Sequence, residues 1–213
     1  MTSLARSPLA WVRYRLKDRY DSEHEQALVR LVVGVLVCVY PLIPNVILES
    51  SGRALQYLLV FGAWMLMAIV IFCAILISPG ASPLRRVIGA VGDVAVISYF
   101  LIQTGVEGLV FLFVYFWIIL GNGVRYGPFY LMNTLVMSVI GFLLVLMLSD
   151  FWHAHVGAGI SLVFGMIAVS LYALTLLKRL VKERDRAEAE NVALRRRLEP
   201  GPDHARPGPD GSV

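Results

Sequence analysis

Between residues 27 and 177 the sequence is a succession of six apolar runs, most of them close to the roughly 20 residues that a helix needs to cross a hydrocarbon core about 30 Å thick. Polar or Gly/Pro punctuation cuts them at 27–47, 54–77, 84–102, 109–120 running on toward 124, 129–148 and 157–177. Lipid offers backbone amides no partners, so runs of this kind fold as helices that satisfy those groups internally. Of 19 Lys/Arg and 15 Asp/Glu in the chain, only nine fall inside this body: Arg30, Glu49, Arg53, Arg85, Arg86, Asp93, Glu107, Arg125 and Asp150. With 58% hydrophobic residues, 16% charged residues and a mean hydropathy of +0.71, a soluble domain and a disordered chain are both excluded. The expected fold is all-α: a polytopic transmembrane helical bundle of six spans, five if one segment is re-entrant or lies flat. Such a body leaves no room for a soluble catalytic domain.

If both ends lie in the cytoplasm, 18 of the Lys/Arg residues fall on that side and only Arg53 on the other. The positive-inside rule therefore favours six spans in the inner membrane with both termini inside. No short apolar run with a cleavage pattern precedes residue 27, so the first span is expected to serve as its own insertion signal. A net charge of +4 could point to nucleic acid, but these basic residues flank apolar spans, where they set orientation and meet anionic headgroups. Nucleic acid is not an expected partner. Trp152 sits where an aromatic residue would anchor at the outer interface, and Pro41 and Pro44 are expected to kink the first span.

Four stretches follow from the composition. Residues 1–26 form an arm in which Leu9, Val12, Leu16 and Tyr20 recur at near-helical spacing, as in an interfacial amphipathic helix. Residues 27–177 form the transmembrane domain. Over 178–199 a cytoplasmic helix continues, and Ala173, Leu177, Leu180, Arg184, Ala187, Asn191, Leu194 and Leu198 alternate spacings of four and three. That is the seam of a short parallel coiled coil weakened by Arg184 and Asn191, or else a solvated charged helix. The stretch 200–213, PGPDHARPGPDGSV, is too poor in apolar residues to fold.

Few residues carry chemistry. Ser22-x-x-Glu25, just before the first span, fits a capping box. The same helix-start amides, with Arg19 and Arg30, could instead receive an anionic headgroup or carboxylate. Asp93 lies seven residues past Arg86, about 10 Å into the membrane at about 1.5 Å per residue, and an ionisable group at that depth is functional by default. Asn122 and Arg125 fall at the inner end of the fourth span, so Arg125 is expected to reach Asp93, as a clamp or as part of a switch or pocket. His153 and His155 lack a third ligand and read as a solvated loop, while Cys38 and Cys73 read as buried apolar groups. The aromatics of 111–117 cover every helix face, which fits packing rather than a cofactor box. Neither a metal nor a cofactor is expected, and no nucleophile–base pair or phosphate loop points to catalysis.

Three polar motifs in order, DSEHEQ at 21–26, RRVIG at 85–89 followed by Asp93, and GNGVRYG at 121–127, give the chain a resemblance to a known family. Over roughly residues 7–185 it resembles the membrane input region of RpfC-type sensor kinases, two-component receptors for diffusible signal factor in bacterial quorum sensing. The resemblance implies recognition of a medium-chain fatty acid with a cis double bond beside its carboxyl. The matching positions of the family's sensing segment are Arg19, Asp21, Ser22, Glu23 and Gln26. Asp93, Asn122 and Arg125 form the intramembrane polar set that could rearrange.

The family kinase continues into a phospho-acceptor motif, whereas His204 here lies in the Pro/Gly-rich tail without that pattern. The expectation is thus a stand-alone, RpfH-like input domain without a kinase. Membrane lipid, the fatty acid, and a full-length sensor kinase or a second copy are its expected partners. The family's arm is usually placed outside with five spans, where the charge count here puts it inside. Two rival readings are an assembly protein recruiting through its C-terminal helix, and a small transporter using Asp93 and Arg125.

Overall fold

A computed structural model describes residues 23–39, 51–78 and 80–198. Its long helices are α1 (Glu23–Val39), α2 (Ser51–Ile77), α3 (Pro83–Thr104), α4 (Phe113–Tyr126) and α5 (Pro128–Leu148). A short α6 (Asp150–Ala154) follows, and then α7 (Val156–Leu198). The 3-10 segment Glu107–Phe111 leads into α4, and the two together make one span, Glu107–Tyr126. Five helical stretches are long and apolar enough to cross a membrane, and α1 adds a sixth bundle helix with 17 described residues. The all-helical membrane architecture expected from the apolar runs is what the chain adopts. The arm before Glu23, both Pro41 and Pro44, and the tail after Leu198 lie outside the described residues.

The breaks between helices are set by local chemistry. Ser82, in an extended conformation (φ −129°, ψ 109°), caps α3 by accepting from the Arg85 amide, and Pro83 follows where its missing N–H costs nothing. Between α4 and α5 stands Gly127 at φ 97°, a backbone that glycine adopts without a Cβ penalty, followed by Pro128 at the first position of α5. This hairpin brings Gly123 against Leu131, where an added Cβ would lie 2.6 Å from Cδ1.

Helices in lipid associate through close packing and interhelical polar contacts rather than through exclusion of water. The core follows that rule. Val94, Ile97 and Leu101 of α3, Tyr115 and Ile119 of α4, Leu135 and Phe142 of α5 and Met166 of α7 form one buried cluster. The Ser98 and Tyr115 hydroxyls are 2.7 Å apart within it. Gly141 of α5 admits α3, since a Cβ there would lie 2.6 Å from Val94 and 2.8 Å from the Ser98 hydroxyl. Leu58, Val70, Phe129 and Phe164 point outward, as lipid-facing residues do.

Two expectations need correction. Trp152 is not an interfacial anchor: α6 folds its side chain into the bundle, where it is buried against Phe142 with ring centroids 5.2 Å apart. Cys73 faces outward instead of into the core. At about 1.5 Å per residue, the 43 residues of α7 extend for roughly twice the bilayer core, so the C-terminal part projects beyond it. There Leu180 and Leu194 are exposed, and Arg184 pairs with Glu188 at 3.1 Å.

Candidate functional site

The first residues of α1 enter a polar cluster that joins the ends of α2, α3, α4 and α5. Glu23, 3% exposed, accepts from the Ser82 amide at 3.0 Å and from Arg86 Nε at 2.6 Å through Oε1, and from Arg85 Nη2 at 3.0 Å through Oε2. A carboxylate at a helix N-terminus also meets the positive end of the helix dipole. Arg85 turns the other way as well, donating to the carbonyls of Ala74 in the last turn of α2 and of Ser78 and Gly80 just beyond it. Arg86 lies over the rings of Tyr126 and Tyr130, 4.3 and 5.3 Å from their centroids. Burial pushes the Glu23 carboxyl up, but the Ser82 amide and the Arg86 and Arg85 guanidiniums outweigh it and hold the group below its ordinary value.

One turn along, Gln26 ties α1 to α4. Its Nε2 donates to Asn122 Oδ1 at 3.1 Å, and Tyr126 donates to its Oε1 at 2.5 Å. Asn122 is itself buried and donates back to the Ile118 carbonyl at 2.8 Å.

A further turn along, Arg30 crosses to α3. Its Nε and Nη2 donate to the two oxygens of Asp93 at 2.7 and 2.6 Å, a bidentate pair, and Trp64 of α2 adds its indole N–H at 3.1 Å. Gly89 makes room for the guanidinium, since a Cβ there would lie 2.7 Å from Nη2. The side chains are 6% and 14% exposed, so the pair is a closed neutral unit. The expected Arg125–Asp93 contact is therefore corrected. Arg30 lies on the helix beside Asp93, and Arg125 forms no ion pair among the described residues.

Arg125 instead stands at one end of a groove between α1 and α4. Val29 and Val33 of α1 form one wall, and Val114, Trp117 and Ile118 of α4 the other. Phe61, Trp64, Ile97 and Phe100 make the floor, with Phe111 beside them. Gln26, Asn122 and Arg125 make its polar end, and the Arg30–Asp93 pair borders it. The aromatics of 111–117 thus divide: Tyr115 is core, Phe111 stacks edge-on against Phe100 at 4.8 Å, and Trp117 flanks the groove.

Of the residues singled out from sequence, Arg19, Asp21 and Ser22 lie outside the described residues. Glu23 and Gln26 are placed among helix-joining contacts, Asp93 in the Arg30 pair, and Asn122 and Arg125 at the groove. With Ser22 outside the described residues, the proposed capping box is not described, and its Glu25 is exposed. Sequence reasoning missed Trp64, Tyr126 and the partnership of Arg30. A single arginine inside an apolar run was the available signal for the last.

The chain is similar to the sensory/regulatory protein RpfC of Xanthomonas campestris pv. campestris, in strain 8004 and in strain ATCC 33913 alike. Identity is 32% over 195 residues, which is 91% of this chain and 26% of each relative. This chain accordingly spans about a quarter of the length of those relatives, and the likeness is to an RpfC-like sensory membrane region. No family model matches, and no solved structure does.

Proposed function

We propose that this chain is the input region of a membrane signalling system and responds to a medium-chain cis-unsaturated fatty acid, itself performing no catalysis. The observation that supports this most is the wiring of the start of α1. Within two turns, Glu23, Gln26 and Arg30 reach α3 and α4, so a ligand that moves the arm moves the bundle. Similarity across most of the chain to sensory/regulatory proteins points the same way. In this reading the membrane is the bacterial inner membrane, and the end bearing Arg85, Arg86 and the C-terminal helix faces the cytoplasm, as the positive-inside rule prefers. Arg19, Asp21 and Ser22 meet the ligand first, and Glu23 and Gln26 pass the change on. The output is a shift between two arrangements, which requires the ligand to bind one more tightly than the other. A full-length sensor kinase or a second copy receives it, through the spans or the exposed part of α7.

The test is binding of a labelled cis-2-unsaturated medium-chain fatty acid to the full chain in lipid nanodiscs, against its saturated analogue. Selective, saturable binding weakened by Arg19→Ala supports the reading. Equal, nonselective uptake of both acids overturns it and favours an assembly protein acting through Leu180 and Leu194 of α7.

A further inference from the structure

We infer that the groove between α1 and α4 is itself a binding site for a free fatty acid, with the carboxylate on Arg125 and the chain along Trp117 and Val114. This rests on the fatty-acid reading above and moves the point of contact from the arm into the bundle.

Charge is the first reason. Arg30, Arg85 and Arg86 each already have a carboxylate contact: Arg30 with Asp93 at 2.6 Å, and Arg85 and Arg86 sharing Glu23 at 3.0 and 2.6 Å. Arg125 has no such partner among the described residues, yet it lines a groove whose walls and floor are apolar. A guanidinium without an ion-pair partner among the described residues, at the end of an apolar channel, complements one carboxylate on one alkyl chain, and a planar guanidinium can hold a carboxylate by two hydrogen bonds.

Length is the second. From Arg125 to Val114 the groove follows eleven residues of α4, about 16 Å at about 1.5 Å each, close to half of a hydrocarbon core about 30 Å thick. The polar end lies level with the Glu23 cluster, at the membrane boundary, and the channel ends one leaflet deep. An amphiphile resting in that leaflet is already aligned with it.

Access is the third. Trp117 is 56% exposed and α1 meets α4 through Gln26, so the groove opens sideways toward lipid, the phase in which a fatty acid dissolves. Gly121, one turn before Arg125, leaves the wall beside the guanidinium bare. An added Cβ would meet only Arg125 Nη1, at 3.9 Å. Gln26 closes this same end, so an arriving carboxylate sits against the residue that ties α1 to α4.

The experiment uses the full chain in nanodiscs and a medium-chain fatty acid with a photoreactive diazirine at its methyl end and a free carboxylate. Labelling concentrated on the α4 peptide carrying Val114 and Trp117 is the expected result. Arg125→Gln should weaken it about tenfold, as loss of one charge-assisted anchor implies. Gly121→Val, which the open space around Gly121 lets fold, should block it while Arg125→Lys retains part. Selective binding with label on the arm, or labelling indifferent to both Arg125→Gln and Gly121→Val, overturns the groove while leaving the proposed function standing. Label spread over outward residues such as Leu58 and Phe129, with no selective binding, overturns both. Capture of a diazirine phosphatidylglycerol at the groove in preference to the free acid overturns the fatty acid as occupant.

Discussion

Asp93 on α3 is held by Arg30 on α1 through two hydrogen bonds of 2.7 and 2.6 Å. Trp64 of α2 supplies a third contact at 3.1 Å, so one carboxylate joins three helices. Removing one partner of such a pair costs more than the pair contributes, because the survivor stays buried and charged.

Asp93→Asn should therefore destabilise the bundle by about 3 kcal/mol, read as a lower thermal unfolding midpoint in nanodiscs. Arg30→Met combined with Asp93→Leu should recover much of that loss, since no buried charge remains. Insertion should persist in the single variant while signalling output changes. Wild-type unfolding and wild-type output in Asp93→Asn would show the pair to be idle.

Glu23 gives the chain an acid-sensitive joint. Its carboxyl lies below the ordinary 4.5, so its contribution is complete above that value and is lost as pH falls through the lowered one. Stability of the α1 docking should accordingly be flat near neutrality and fall only in acid below the ordinary carboxylate range. Glu23→Gln should cost about 2 kcal/mol at neutral pH and flatten the acid limb. Hydrogen exchange in α1, followed from neutral to acidic pH in both proteins, measures this. An identical acid limb in the variant would assign it to another group.

The helices were legible because apolar runs and their punctuation are local properties. Ser82-Pro83 and Gly127-Pro128 mark helix starts that any reader of the chain can find, and the third run, expected at 84–102, is Pro83–Thr104. Depth was legible too, since Asp93 follows Arg86 by seven residues. Partnership was not. Arg30 and Arg125 both lie within reach of that depth, and the choice depends on which helix lies beside α3 and how it is rotated, which no spacing encodes. Trp152 failed for a related reason: its place in sequence is that of an anchor, but the turn at Ser149 directs α6 back over Phe142.

Gly141 tests the close approach of α5 to α3. A Cβ there would fall 2.6 Å from Val94 and 2.8 Å from the Ser98 hydroxyl, which lies 2.7 Å from Tyr115. Gly141→Val should cost about 1–3 kcal/mol through forced displacement of α3. Gly62→Ala, at a position with open space around it, should cost far less. Equal unfolding midpoints for the two variants would mean that this contact is looser than described.

Gln26 and Asn122 decide whether α1 follows α4. The amide of Gln26 donates to Asn122 while its oxygen receives the Tyr126 hydroxyl, so Gln26→Ala removes both tethers and leaves the buried Asn122 oxygen without that donor. The expected loss of stability is about 1–2 kcal/mol, smaller than for Asp93→Asn because no charge is stranded. The larger effect should be mechanical. Spin labels at Leu28 on α1 and Val124 on α4, both outward-facing, should report a broader distance distribution in Gln26→Ala than in the wild type. Asn122→Ala should reproduce part of that broadening, because Tyr126 still holds the Gln26 oxygen. An unchanged distribution in both variants would mean that α1 is positioned by Glu23 and Arg30 alone and that the tether at Gln26 transmits nothing.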